Sequence, residues 1–153
     1  MSEHCIEGGC RCNRVRIRIA VPPLLTMACH CSGCQRMTGS AFSLSSAVPG
    51  DGFSVIQGTP AIGALHGPTQ HYFCPHCMSW VFTRPQNIGF VSVRSTLLDE
   101  PPRQPPFMET MTCEKLPWVN TLATHSFEHW PPPDSFERLV HEFAERYPAW
   151  NPQ

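Results

Sequence analysis

The chain has 153 residues, the usual size of one domain, and its 11 basic and 12 acidic side chains nearly cancel. This balance argues against general nucleic-acid binding, which needs a basic surface to neutralise phosphates. Charged residues make up only 15% of the chain, while ten of its 17 prolines follow residue 100. We therefore expect a single domain over residues 1–153 whose last third is mainly extended chain and turns.

Short strands are predicted along most of the chain. In residues 13–21, apolar β-branched side chains alternate with arginines at positions 14, 16 and 18. Turn signals rich in proline and glycine separate further candidates, which lie at 41–48, 53–57, 70–73, 80–83, 90–93 and 107–112. Short strands at this spacing predict a mainly β fold, either a sandwich or a barrel-like sheet.

One helix is predicted near the C-terminus, at about 135–147. Three prolines precede it, and Asp134 followed by Glu137 is typical of an N-terminal cap. Apolar side chains then recur at helical spacing, namely Phe136, Leu139, Val140, Phe143 and Tyr147. We expect this face of the helix to pack on the sheet.

The nine cysteines and the N-terminal sequence indicate the cellular compartment in which the protein is expected. An odd number of cysteines cannot all pair internally, and the start MSEHCIE lacks the basic and apolar regions of a signal peptide. The apolar segment 20–29 contains two prolines and is too short to span a bilayer. We expect a cytoplasmic protein with no membrane association, in which clustered cysteines bind metal more readily than they form disulfides.

Seven of the cysteines fall into three groups that predict metal binding. The groups are Cys10-x-Cys12, Cys29-x-Cys31-x-x-Cys34 and Cys74-x-x-Cys77. Spacings of one or two residues let neighbouring thiolates converge on one ion, as in zinc knuckles. A closed zinc site takes four ligands and a catalytic one takes three. The two pairs are therefore predicted to form a structural site, and the triple to hold a second zinc with an open position.

Counting ligands leaves an alternative open. A histidine or Cys113 could close the triple, so that both ions would only stabilise the fold. The chain would then be a non-enzymatic zinc-stabilised scaffold that binds a protein partner. An open triple would favour thiol or carbonyl chemistry, because three cysteinates weaken zinc as an acid and suit a soft fourth ligand.

Longer motifs surround the cysteines: GGCRC at 8–12, CHCSGCQRMTGSAF at 29–42, FCPHC at 73–77 and LPW at 116–118. Over about residues 8–120 they resemble the glutathione-dependent formaldehyde-activating enzyme family. The resemblance implies a zinc-bearing, mainly β fold of the Mss4-like type, with an added segment at 121–153. It also implies a carbon–sulfur lyase activity, the condensation of glutathione with formaldehyde to S-hydroxymethylglutathione.

The resemblance implies roles for the clustered residues. It assigns a structural zinc to Cys10, Cys12, Cys74 and Cys77 and a catalytic zinc to Cys29, Cys31 and Cys34. The substrates would be a small thiol such as glutathione and a small aldehyde. Two positions depart from the family pattern, since Asn13 and Met78 replace glycines that permit a positive φ. Asparagine tolerates that conformation better than methionine does.

Substrate choice would depend on the walls of the pocket around the triple. His30, Arg36 and Ser40 are candidate pocket residues, with Phe42 or Trp80 as apolar lining. Arg36 could meet a glutathione carboxylate or could simply be solvated. His30 lies between two ligands on an alternating segment, so its ring should point away from the ion.

Overall fold

The computed structural model describes residues 5–63, 65 and 67–148. Residues 1–4 and 149–153, the two ends of the predicted domain, lie outside the described residues. The strands are β1 (Ile6–Gly9), β2 (Arg16–Ile19), β3 (Leu25–Cys29), β4 (Ser43–Pro49), β5 (Phe53–Gln57), β6 (Ala61–Ile62), β7 (Gln70–Phe73), β8 (Trp80–Arg84), β9 (Phe90–Arg94), β10 (Met108–Thr110) and β11 (His125–Ser126). The helices are α1 (Ser32–Thr38) and α2 (Pro133–Arg146).

Two sheets form the framework. The smaller sheet has the order β1-β2-β5, and the larger has the order β11-β10-β3-β4-β9-β8-β7-β6. β10 pairs in parallel with both β3 and β11, whereas the other neighbours pair antiparallel. The prediction of a mainly β chain with a short C-terminal helix is confirmed. Among the described residues, no helix offers the length and apolar run that a bilayer crossing requires.

All seven predicted strands are present, with changes at the ends of five of them. Those at 53–57 and 70–73 keep their predicted bounds as β5 and β7, and three others become β4, β8 and β9 with shifts of one or two residues. The strand predicted at 13–21 shortens to β2 because residues 10–15 form a turn, in which the Cys10 N–H donates to the Val15 carbonyl at 3.0 Å. The strand predicted at 107–112 shortens to β10 because a 3₁₀ turn begins at Thr112.

The two elements that carry the three-cysteine cluster were not predicted. β3 is buried at four successive positions, and it therefore lacks the alternation of a half-buried strand. α1 is a second helix where only one was predicted. It has seven residues, none of them buried, and so it has no apolar face to detect.

α2 packs on the larger sheet through its predicted apolar face. Leu139 and Phe143 are buried, and the Phe143 ring meets the Phe107 ring edge-on at 5.4 Å. The predicted cap is wrong, because the helix begins at Pro133 and Asp134 lies within its first turn. Proline fits the first helical position, since its fixed φ is already helical and its missing N–H would have no helical partner.

Candidate metal centre

Two turns from distant parts of the chain bring four cysteines together. Cys10 and Cys12 lie between β1 and β2, whereas Cys74 and Cys77 lie between β7 and β8. The Cys10 and Cys12 sulfurs are 3.6 Å apart, and those of Cys12 and Cys74 are 3.8 Å apart. Four sulfurs about 2.3 Å from a tetrahedral ion would lie about 3.8 Å from one another. Both the spacing and the thiol donors fit a zinc ion.

In each turn, a backbone hydrogen bond to the carbonyl of the first cysteine closes the chain. The Asn13 N–H donates to the Cys10 carbonyl and the Met78 N–H to the Cys74 carbonyl, each at 2.9 Å. Both donor residues, Asn13 and Met78, adopt the left-handed backbone conformation, with φ of 60° and 61°. The turns thus adopt the positive φ expected at these two positions, even though neither residue is a glycine.

Met78→Gly should stabilise the protein. The Met78 side chain is 66% exposed, so its loss removes little packing. A non-glycine residue in the left-handed region costs about 1–2 kcal/mol, and the greater freedom of glycine in the unfolded chain offsets part of that gain. We expect a Tm about 1–2 °C higher in thermal melts, with a smaller rise for Asn13→Gly as the matched control. A fall in Tm would contradict this account of the turn.

A second cluster joins the end of β3 to the start of α1. Cys29 is the last residue of β3, Cys31 is the N-cap of α1, and Cys34 lies in the first turn. The Cys34 N–H donates to the Cys31 sulfur at 3.3 Å. The three sulfurs lie within 4.8 Å of one another, and all three residues are partly exposed. Cysteines spaced in this way can bind one metal ion from one side.

No fourth ligand completes this triple within the part of the chain that the structure describes. Neither Cys113 nor any described histidine, aspartate or glutamate joins the three sulfurs. His4 and His66 lie outside the described residues. All nine cysteines are free, and Cys5 and Cys113, which stand apart from both clusters, are exposed.

Hydrogen bonds favour the thiolate form at Cys29 in the three-cysteine cluster, and at Cys10 and Cys77 in the four-cysteine cluster. A hydrogen bond from the Cys34 thiol lowers the pKa of Cys29 to about 5, and the same interaction raises the pKa of Cys34. In the four-cysteine cluster, a hydrogen bond with Ser79 lowers the pKa of Cys77 to about 5. Because the thiolate is the form that binds metal, these hydrogen bonds favour metal binding at the cysteines that accept them.

A cavity of about 360 Å³ opens beside Cys29 and Cys34. Most of its wall is apolar, formed by Met27, Trp80, Pro85, Ile88, Phe90 and Trp130. Its polar lining consists of Ser43, Ser45, His71, Thr83, Ser92 and Arg94. The structure therefore places a substrate-sized space next to two of the three clustered sulfurs.

Arg94 is the functional candidate that the sequence did not reveal. It is only 7% exposed, and its guanidinium lies 3.9 Å from the Trp80 ring centroid. Its Nη2 donates to the Ser92 hydroxyl at 2.7 Å, while its Nε is buried without a hydrogen-bond partner. The only sign of it in the sequence is an arginine that directly follows an apolar strand.

Arg94 is a buried cation that pairs with no carboxylate in the described part of the chain. None of the ion pairs among the described residues includes it. Burial lowers the pKa of Arg94 to about 10, and negative charge on Cys34 and Cys29 opposes this shift. At neutral pH the guanidinium is thus protonated, and the Cys29 thiolate is an anionic group near it.

The candidate pocket residues occupy different places. His30 is fully buried, and its Nε2 lies 2.8 Å from the Glu109 carboxylate. Neither His30, Arg36 nor Ser40 is among the residues that line the cavity. Trp80 does line it, whereas Phe42 packs edge-on against the His30 ring at 5.5 Å.

Comparison with known proteins identifies the family. The sequence model of the family described as “Glutathione-dependent formaldehyde-activating enzyme” matches residues 5–114, which include all seven clustered cysteines. The chain belongs to this family. α2 and Trp130 lie beyond the matched residues.

Individual relatives agree with this membership. A Halomonas elongata protein named “Putative glutathione-dependent formaldehyde-activating enzyme” is 32% identical over an aligned length of 129 residues, and the match covers 74% of this chain and 79% of that protein. A protein of the same name from Emericella nidulans is 33% identical over 70 residues, 44% of this chain and 36% of that protein. A Rhodobacter sphaeroides protein of known crystal structure matches with a TM-score of 0.51 at 18% identity, over 79% of this chain and 98% of that chain, and shares the fold.

Proposed function

We propose that this family member is a zinc-dependent carbon–sulfur lyase that joins a small thiol such as glutathione to a small aldehyde such as formaldehyde. The observation that carries the proposal is the three-cysteine cluster, which borders a cavity and has no fourth ligand among the described residues. A purely structural zinc normally has four protein ligands. The free thiols of both clusters also fit a reducing compartment such as the cytoplasm.

Two zinc ions per chain fit the two clusters. A structural ion would be held by Cys10, Cys12, Cys74 and Cys77, and a catalytic ion by Cys29, Cys31 and Cys34. Zinc in the second site would supply a positive charge that favours the thiolate form of an incoming thiol.

The residues around the second site favour negative charge in the cavity. In the proposed reaction, addition of the thiol to the aldehyde forms a bond between the thiolate sulfur and the carbonyl carbon, and the carbonyl π electrons move to oxygen. That oxygen then takes up a proton equivalent to the one that the thiol lost. Arg94 supplies a fixed cation on the cavity wall, and the Ser43 and Ser45 hydroxyls on the same wall can donate to the oxygen. Dipoles and charges fixed before the reaction stabilise the developing oxyanion at no further cost in reorganisation.

Glutathione should bind the zinc-loaded protein in a calorimetric titration, and Cys31→Ser should weaken that binding more than tenfold, about 1.4 kcal/mol. The substitution removes one of three ligands of the proposed catalytic ion and leaves the four-cysteine cluster intact. Cys5→Ser is the matched control, because Cys5 is exposed and lies outside both clusters. This control should bind glutathione as the unsubstituted protein does.

Two results would count against the proposal in different ways. If neither glutathione nor other small thiols bind the unsubstituted protein, the zinc-stabilised scaffold becomes the better interpretation. If Cys31→Ser loses its second zinc and still binds glutathione with full affinity, the thiol binds away from the cluster. Metal analysis of each variant separates the two results.

A further inference from the structure

The cavity beside the three-cysteine cluster is far larger than formaldehyde. Its volume of about 360 Å³ lies within the usual range of small-molecule sites, about 300–1,000 Å³. Formaldehyde has two heavy atoms and is closer in size to a water molecule, which occupies about 30 Å³ in the liquid. A site for formaldehyde alone would leave most of this space facing apolar walls, so the size of the cavity indicates a bulkier substrate.

Aromatic rings form the inner wall and are held in place by their neighbours. Trp80 packs against Arg94, and its Nε1–H donates to the Thr83 hydroxyl at 3.0 Å. Phe90 stacks on Phe136 of α2, with ring centroids 5.8 Å apart. Both rings are mostly buried and fixed by these contacts, and such surfaces suit a flat or branched apolar group.

Two apolar residues extend the wall toward solvent. Ile88 and Trp130 line the cavity and are 45% and 46% exposed. A ligand with an apolar body would cover part of these exposed surfaces on binding. Trp130 lies outside residues 5–114, as does Phe136 behind Phe90, so the segment beyond the family match contributes to the wall.

The charges of the cavity do not match a whole glutathione molecule. Glutathione carries two carboxylates and one ammonium group at neutral pH. Among the described residues, the cavity wall provides one buried cation, Arg94, and no carboxylate. Cys31 is partly exposed and does not line the cavity, which leaves an approach to the cluster from solvent. The cavity is thus better suited to the carbonyl partner than to the thiol.

We propose that the cavity binds the side chain of the aldehyde, and that this aldehyde carries an aromatic or branched aliphatic group in place of a hydrogen atom of formaldehyde. The inference rests on the proposed addition of a thiol to an aldehyde at the three-cysteine cluster. The chemistry is unchanged: one carbon–sulfur bond forms, the carbonyl π bond breaks to leave a hydroxyl-bearing carbon, and the thiol proton is transferred to oxygen. Trp130 is a specificity-determining residue in this scheme.

An unreactive probe tests the cavity without requiring turnover. Benzyl alcohol, which has the ring of benzaldehyde, should bind the zinc-loaded protein saturably, whereas methanol should not bind. Trp130→Ala should weaken benzyl alcohol binding about tenfold, since large aromatic contacts dominate such sites. Trp118→Ala is the matched control, because Trp118 is 76% exposed and does not line the cavity. Thermal melts verify that both variants are folded.

A kinetic comparison then tests the preference itself. With glutathione fixed, kcat/KM should be higher for benzaldehyde than for formaldehyde, and Trp130→Ala should lower that ratio about tenfold. Absence of saturable benzyl alcohol binding, or equal binding by both tryptophan variants, would overturn the inference. Neither of these results would change the glutathione titration, which tests the proposed function separately. Conversely, Trp130-dependent probe binding without any thiol binding would overturn the proposed function and leave the apolar ligand class supported.

Discussion

Cys74→Ser should leave the protein unfolded or insoluble, whereas Cys31→Ser should give a folded chain. Cys74 is completely buried, and its cluster joins the turn of the smaller sheet to the turn between β7 and β8 of the larger one. Apparent binding free energies of structural zinc reach about 10–16 kcal/mol. Because a whole domain is stable by only about 5–15 kcal/mol, loss of this cross-link exceeds what the remaining packing can offset.

The Cys31→Ser substitution should have a more local effect than Cys74→Ser. Cys31 caps α1, a helix with no buried residue, and serine is itself a preferred N-cap, so the substitution should cost little helix stability. Metal analysis should find two zinc ions in the unsubstituted protein and one in Cys31→Ser, and thermal melts should still show a cooperative transition. Equal collapse of both variants would indicate that both sites are structural and would favour the scaffold.

The spacing of the cysteines carried most of what the sequence could predict of the site. Neighbouring cysteines one or two residues apart must lie close in space, whatever the fold. The structure brings Cys10 and Cys12 to Cys74 and Cys77 and keeps the other three together, as the ligand count suggested. Their roles as zinc ligands remain a prediction that metal analysis tests.

The cavity could not be predicted in the same way. Its wall combines residues from β3, β4, β7, β8, β9, α1 and two irregular segments, and the strands meet only through their order in the larger sheet. Pairing of Thr83 with Ser92 sets the register between β8 and β9, which carry Trp80 and Arg94. Local periodicity reports which face of a strand is apolar, and it contains no information about which strands are neighbours.

Glu109→Gln should destabilise the protein by about 3 kcal/mol. Glu109 is only 5% exposed and accepts hydrogen bonds from Lys115, Thr121, Ser126 and His30. Burial alone would raise the pKa of Glu109, but hydrogen bonds from Ser126, Thr121, His30 and Lys115 together lower it to about 2. A lowered pKa means that the ionised form stabilises the folded state. This contribution is complete at pH 7 and is lost as the pH falls from the ordinary carboxyl value toward about 2.

Glutamine keeps the shape of this side chain but removes its charge and replaces one acceptor oxygen by a donor amide. Breaking a buried charged network in this way typically costs about 3–5 kcal/mol. Glu142→Gln is the matched control, because Glu142 also pairs with a histidine, His125, at 3.0 Å but is 40% exposed. It should change the free energy of unfolding by about 0.5 kcal/mol or less. Urea unfolding of the zinc-loaded proteins at pH 7 compares the two, and equal small effects would contradict the prediction.

Glu109→Gln should also weaken metal binding at the three-cysteine site. His30 lies between Cys29 and Cys31, and its Nε2 lies 2.8 Å from the Glu109 carboxylate, which anchors the ring. Without that anchor the backbone that carries both cysteines is less well fixed, and loss of a positioning partner commonly lowers metal affinity about 10–100-fold. Competition with a chelator should therefore remove the second zinc from Glu109→Gln at a lower chelator concentration than from Glu142→Gln. If both variants release it equally, Glu109 stabilises the fold without positioning the cluster.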